Sequence, residues 1–190
     1  MCIRDRQGTI GLEISQQHPD PIDYLFLPIG GGGLAAGVSA YLKYLRPDIK
    51  IIGVEPVDAA CMHAALKAGE PVELEQVGLF ADGVAVRRAG DETFKVCRET
   101  LDDIVLVTVD EMSSAIKDIF NETRTLTEPA GALALAGLKK YAIENGLRDT
   151  TLVAINSGAN INFDRLRHVC LLYTSPSPRD RTRSRMPSSA

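Results

Sequence analysis

IDYLFLPIGGGGLAAG, residues 22–37, is the stretch from which the rest of the chain can be read. Ile22 to Ile29 is a short apolar, partly aromatic run between Pro21 and a set of glycines, the pattern of a strand buried on both faces. From Leu34 the period changes. Leu34, Val38, Tyr41, Leu42 and Leu45 fall on one helical face, and Pro47 ends the helix. Between strand and helix stand Gly30, Gly31, Gly32 and Gly33. A helix opening directly after them aims unpaired backbone N–H groups and its positive dipole end at one spot, where an anion belongs. Missing side chains let the backbone close around phosphate oxygens. A tight turn alone would need one or two glycines, so four favour a phosphate.

Downstream the order repeats. Ile49 to Glu55 reads as a second buried strand, and Asp58 as the cap of a helix through Met62, Ala65 and Leu66 to Gly69. Residues 70–90 read mostly as loop, including Ala81-Asp82-Gly83-Val84. Phe94, Cys97 and Leu101 suit a helix, and Ile104 to Val109 a strand. Asp110 is the expected cap of a helix burying Met112, Ala115, Ile116, Ile119 and Phe120. A further helix opens near Pro129, and Thr151 to Ile155 makes a last strand. Alternating strands and helices predict an α/β fold, a three-layer arrangement with a parallel twisted sheet flanked by helices.

At 190 residues and 45% hydrophobic content the chain is long enough for a full core. No apolar run has the length of a membrane helix, and Met1 to Arg6 lacks the apolar stretch of a secretory signal, so a cytoplasmic protein is expected. Leu171 to Ala190 carries Arg179, Arg181, Arg183 and Arg185 among Ser and Pro without periodicity after Tyr173, and reads as disordered. This tail and residues 1–6 resemble translated sequencing-adapter DNA. Without residues 1–6 and 170–190, Lys plus Arg is 15 and Asp plus Glu is 23, a net charge of −8. With aromatics at 5% and no Trp, so acidic a chain is ill suited to nucleic acid. Cys2, Cys61, Cys97 and Cys170 show no CxxC pairing, and His18, His63 and His168 no ligand spacing, so neither a zinc site nor a disulfide framework is expected.

Gly31 to Ala36 also fits the looser dinucleotide fingerprint G-x-G-x-x-A, with Glu55 ending the next strand where an acidic residue would hold a ribose. A nicotinamide-dependent oxidoreductase is therefore a rival reading. It leaves unexplained Glu128-Pro129-Ala130-Gly131-Ala132 at a helix start and Ser157-Gly158-Ala159-Asn160 after a strand.

Taken together and in order, GGGGLAAG, ADGVAV, the EPAGA segment and NSGANINF resemble the threonine dehydratases (threonine ammonia-lyases) of the fold-type II pyridoxal-phosphate enzymes. The resemblance covers residues 7–169 and favours the biosynthetic branch through Gly78 to Val86 and Asp91-Glu92-Thr93-Phe94. It implies that these residues are part of a pyridoxal-phosphate-binding catalytic domain. The implied reaction is β-elimination and deamination of L-threonine, with L-serine as a second substrate, in isoleucine biosynthesis by a homo-oligomer. Gly30 to Gly33 with the Leu34 N–H would hold the cofactor phosphate, and the Ser157 hydroxyl would meet the pyridine nitrogen. Glu128 would sit near the ring and Gly83 would line the substrate side.

Each residue also has a plainer reading. Ser157 suits a turn after a strand, Glu128 a helix N-terminus, and Gly83 an ordinary Asp-Gly turn. A Schiff-base lysine, implied by the family, is expected to lie outside this chain, because Lys43, Lys50, Lys67, Lys95, Lys117, Lys139 and Lys140 lack the family's lysine motif. The chain alone is then expected to be an incomplete, inactive piece. No metal is expected. Related racemases hold a cation near the Glu of Val54-Glu55-Pro56, but Cys61 stands where a second acidic ligand is expected. A serine dehydratase or racemase of the same fold is the nearer alternative.

Overall fold

The computed structural model describes residues 7–162 together with Leu166 and Val169. Residues 1–6 and 170–190, read above as extraneous, and with them Cys2 and Cys170, lie outside the described residues, as does His168. The elements run α1 (Thr9–Gln17), β1 (Tyr24–Pro28), α2 (Gly33–Leu45), β2 (Lys50–Pro56), α3 (Cys61–Ala68), a 3-10 turn (Asp82–Val84), α4 (Asp91–Thr100), β3 (Asp103–Val107), α5 (Val109–Thr123), α6 (Pro129–Glu144) and β4 (Leu152–Ala154).

The four strands form one parallel sheet in the order β3-β2-β1-β4. Tyr24 of β1 stands opposite Lys50 of β2 on one side and Leu152 of β4 on the other. Successive side chains of a strand point to opposite faces, and β1 supplies both cores accordingly. Leu25 and Leu27 pack with Val38, Leu42, Met62 and Phe94 under α2, α3 and α4. Phe26 packs with Val54, Met112, Ile116 and Leu133 under α5 and α6. The three-layer α/β arrangement expected from the sequence is the one observed. Among the described residues no helix is long and apolar enough to cross a membrane.

Several local expectations need correction. Residues 7–21 are assigned no element from the sequence, yet Thr9–Gln17 is helical, with Gly11 its one buried residue. It packs closely on α2, where a Cβ on Gly11 would lie 3.1 Å from the Tyr41 ring, and Ile10 and Ile14 pack against the same core. Helix α2 is buried well beyond its predicted stripe, at Ala35, Ala36, Gly37, Val38, Ser39 and Leu42, because α1, α4 and β1 surround it, while Leu45 is exposed. Asp110 does not cap α5. Thr108 does, its hydroxyl accepting the Glu111 N–H while the Glu111 carboxylate accepts the Thr108 N–H, a reciprocal capping box. Phe120, on the expected buried face of α5, is 42% exposed.

Asp58 does not cap α3 either, since that helix opens after Ala60. The carboxylate of Glu55, fully buried at the end of β2, accepts the N–H groups of Met62 and His63 at 2.8 Å each. A buried acid thus does the work of a local cap. Desolvation pushes its pKa to about 7, against the lowering pull of the two backbone donors. An acid whose folded pKa lies above its unfolded value of 4.5 binds its proton more readily in the folded state. Its contribution is therefore largest below the unfolded pKa and declines as pH rises towards 7. Measured against Glu55→Gln by urea unfolding, the wild type should lose about 3 kcal/mol of relative stability between pH 4.5 and 7. A pH-independent difference would show that folding leaves the Glu55 carboxyl at its ordinary pKa.

Candidate functional site

In a parallel sheet, loops at the carboxyl ends of the strands gather on one edge, and a crevice opens where the chain switches direction across the sheet. Here β2 lies on one side of β1 and β4 on the other, so the switch falls between β1 and β4. The loop after β1 is Gly30 to Gly33, and the loop after β4 carries Ser157. Both line one open cavity of about 530 Å³. Its other walls are Gln7, Pro28, Leu34, Gly83, Val84, Thr93, Glu128 and Ala130. Every residue that the resemblance assigned to the cofactor, Gly30, Gly31, Gly32, Gly33, Leu34, Gly83, Glu128 and Ser157, therefore lines the same space.

The glycine loop has three different reasons for its composition. A Cβ on Gly30 would stand 3.1 Å from the Val84 Cα, a tight approach that packing against the 3-10 turn leaves little room for. Gly32, the N-cap of α2, has φ +89°, a left-handed conformation that L side chains rarely adopt. Gly31 has neither reason: a Cβ there would meet nothing within 4 Å. Among the described residues nothing demands glycine at that position, which is what a cradle left open for a ligand looks like. The first intrahelical bond of α2 runs from the Ala36 N–H to the Gly32 carbonyl, leaving the Gly33, Leu34 and Ala35 amides without helical partners. Among the described residues Glu128 is the one charged side chain on the walls, so the attraction they offer an anion rests on amides and the helix dipole.

Neighbouring side chains hold this loop in place. The Cys61 thiol donates to the Gly30 carbonyl at 3.4 Å. Burial, with the Glu55 charge adding to it, pushes that thiol up to about 12, so it stays a protonated donor. Thr93, in the first turn of α4, places its hydroxyl 2.6 Å from the Gly31 carbonyl.

The opposite wall is tied together by a second set of contacts. Thr127, fully buried, places its hydroxyl 2.6 Å from the Gly158 carbonyl and 2.8 Å from Asn156 Oδ1. The Glu128 N–H donates to the Gly158 carbonyl at 3.2 Å. These bonds fix the Ser157 loop against the start of α6, where the Ser157 hydroxyl lies 3.4 Å from the Ala130 carbonyl. Glu128 is the N-cap of α6 but makes no side-chain cap bond. Its carboxylate instead lies beside Gly158 and Gly83, with Oε1 3.7 Å from where a Gly83 Cβ would be.

Glu55 is not placed for a ribose. Both of its carboxylate oxygens are taken by the start of α3, and no part of the residue is exposed, so the acidic element of a dinucleotide fingerprint is missing. Among the described residues no lysine lines the cavity either. Lys43 and Lys50 pair with Asp102, Lys95 with Glu92, Lys139 with Asp118 and Lys140 with Glu111. Among the described residues no group of three or more His, Cys, Asp or Glu is arranged to hold a metal ion. Reading the sequence missed Thr93 as a wall residue. It stood within the Asp91-Glu92-Thr93-Phe94 signature, but a threonine in a helical first turn carries no separate signal.

Comparison with known proteins bears on the same residues. A family model described as "Pyridoxal-phosphate dependent enzyme" matches residues 3–158. The L-threonine dehydratase biosynthetic IlvA of Pasteurella multocida is 57% identical over 163 residues, covering 86% of this chain and 32% of that protein. The chain thus spans about a third of the length of the curated relatives it matches. The structure of the processed form of threonine deaminase isoform 2 from Solanum lycopersicum superposes with a TM-score of 0.86 at 47% identity, covering 89% of this chain and 49% of that one. A serine racemase from Dictyostelium discoideum superposes with a TM-score of 0.74 at 32% identity, covering 83% and 50%.

Proposed function

The chain belongs to the pyridoxal-phosphate dependent enzymes, and from that premise we propose that it is part of a biosynthetic threonine dehydratase converting L-threonine to 2-oxobutanoate and ammonia. Residues 7–169 are assigned to its cofactor-binding domain. The observation that carries the reading is the shared cavity: a glycine cradle at a helix entrance and a serine from a distant strand face one space of cofactor size. In this reading the Gly31, Gly32, Gly33 and Leu34 amides bind the cofactor phosphate, with Gly30 closing the loop. Ser157 is oriented by the Thr127 network towards the pyridine nitrogen. Glu128 and Gly83 border the ring and the substrate side.

Bound pyridoxal phosphate supplies the electron sink that lets the substrate α-proton leave. A serine hydroxyl is a far weaker partner for a pyridine nitrogen than a carboxylate, so Ser157 would hold the cofactor's ring nitrogen without favouring its protonation. A cofactor held in that way would favour loss of a β-hydroxyl, which L-threonine and L-serine both offer. The enzyme is assigned to the cytoplasm, as a homo-oligomer without nucleic-acid partners. Identity to the threonine enzymes exceeds identity to the serine racemase, which sets threonine ahead of serine.

The test is a chimaera in which residues 7–169 replace the matching segment of the Pasteurella multocida enzyme, assayed for 2-oxobutanoate from L-threonine. Turnover supports the reading. A folded chimaera that binds pyridoxal phosphate and leaves threonine unchanged overturns it. In the same chimaera Ser157→Ala should lower kcat about two- to tenfold, the loss of one hydrogen bond between neutral groups of about 0.5–1.5 kcal/mol. Unchanged kinetics would refute the ring contact.

A further inference from the structure

We infer that Thr93 is a positioning residue of the phosphate cradle, holding the Gly31–Gly32 peptide so that the Gly32 N–H faces the cavity. The inference rests on the cavity being a phosphate site. The Thr93 hydroxyl lies 2.6 Å from the Gly31 carbonyl and 3.0 Å from the Gly90 carbonyl. It has one proton, and the shorter contact takes it. The Gly90 N–H approaches the same Gly31 carbonyl at 3.3 Å. In a trans peptide the carbonyl and the following N–H point to opposite sides. Drawing the Gly31 oxygen towards α4 therefore turns the Gly32 N–H the other way. The preceding peptide is held alike, since Cys61 draws the Gly30 oxygen towards α3. Two successive amides aimed together, continued by Gly33 and Leu34, make a nest of the kind that binds anions.

The constraint matters because the residues it controls are glycines. Free of side chains, the Gly31–Gly32 unit can reverse its peptide plane at little conformational cost. Reversal would set a carbonyl oxygen where the N–H stood and repel an anion instead of holding it. Thr93 opposes that reversal, and the Gly90 N–H at 3.3 Å is the weaker restraint left without it. Thr93 reaches the loop from α4, a separate element some sixty positions along the chain, so the cradle depends on how α4 docks against α2.

The experiment titrates the 190-residue chain with inorganic phosphate, pyridoxal phosphate and pyridoxal, following backbone amide resonances. Thr93→Val should weaken inorganic phosphate and pyridoxal phosphate about tenfold, as expected for one buried hydrogen bond, and leave pyridoxal unaffected. Thr93→Ser, which keeps the hydroxyl, should stay within about twofold of the wild type. Equal phosphate affinity in Thr93→Val, or an equal loss for pyridoxal, overturns the inference. Should Thr93→Val fail to fold, the wild type decides: the Gly32 amide proton moves downfield when phosphate binds, and a stationary Gly32 amide with bound phosphate overturns it. A wild-type chain that binds neither phosphate compound defeats the phosphate reading of the cavity itself, a result distinct from failure of Thr93.

Discussion

Gly31→Ala is expected to leave the stability of the chain unchanged while lowering its affinity for pyridoxal phosphate a hundredfold or more. The two halves of that expectation come from one observation. Among the described residues a Cβ at this position meets no atom within 4 Å beyond its chain neighbours, so their packing does not oppose it. Gly31 nevertheless lines the cavity, and the empty space around its Cα is the space through which a phosphate must approach the loop amides. A methyl group there holds the anion away from at least two amides. Hydrogen bonds to a charged group contribute about 1.5–3 kcal/mol each, so two lost bonds exceed a hundredfold in affinity. Thermal unfolding and a cofactor titration on the same sample separate the two effects. A variant that binds as tightly as the wild type would mean the phosphate does not lie against this loop. Gly32→Ala is less informative, because its positive φ and its approach to Met62 and Thr93 would disturb the fold as well.

Gly131→Ala is expected to destabilise the chain by about 3–5 kcal/mol. Its Cβ would clash with the Gly158 carbonyl and with the Thr127 hydroxyl, and would stand 2.9 Å from Asn156 Oδ1. Two of these neighbours are held rigidly, one being backbone and the other the hub of the buried Thr127 contacts. Overpacking of a tight contact costs about 1–3 kcal/mol. Separating Thr127 from its partners leaves buried polar groups unsatisfied at about 1–3 kcal/mol more. Urea unfolding measures the sum. The same displacement moves the Ser157 loop away from α6, so cofactor affinity should fall alongside stability, unlike the Gly31 case. A loss below about 1 kcal/mol would show that the Ser157 loop is free to move, and would undercut the fixed geometry assigned to it.

Local chemistry made the glycine cradle and the alternation of strands and helices legible before any coordinates. The four glycines, the buried runs at Leu25–Ile29 and Ile51–Val54, and Pro129 at a helix start are signals written in adjacent residues. What could not be read locally is the side of β1 on which β4 pairs. That contact joins Leu25 to Val153 across most of the chain and depends on how α6 crosses the sheet. Only the resemblance to a known family put Ser157 beside the glycines, and the parallel register at Phe26 and Ala154 gives the physical reason. The helix caps failed for opposite reasons. At α5 the Thr108–Glu111 box was present in the sequence and a neighbouring aspartate was preferred to it. At α3 the capping group comes from inside the sheet, and no local pattern announces a buried glutamate turned back onto the next helix.

The account stands most directly on a parallel titration of the 190-residue chain with pyridoxal phosphate and with NADH, read from assigned backbone amides. Pyridoxal phosphate should perturb the amides of Gly31 to Leu34 and of Ser157 together, at one affinity, while NADH leaves them in place. Perturbation of these amides by NADH with no response to pyridoxal phosphate would contradict it.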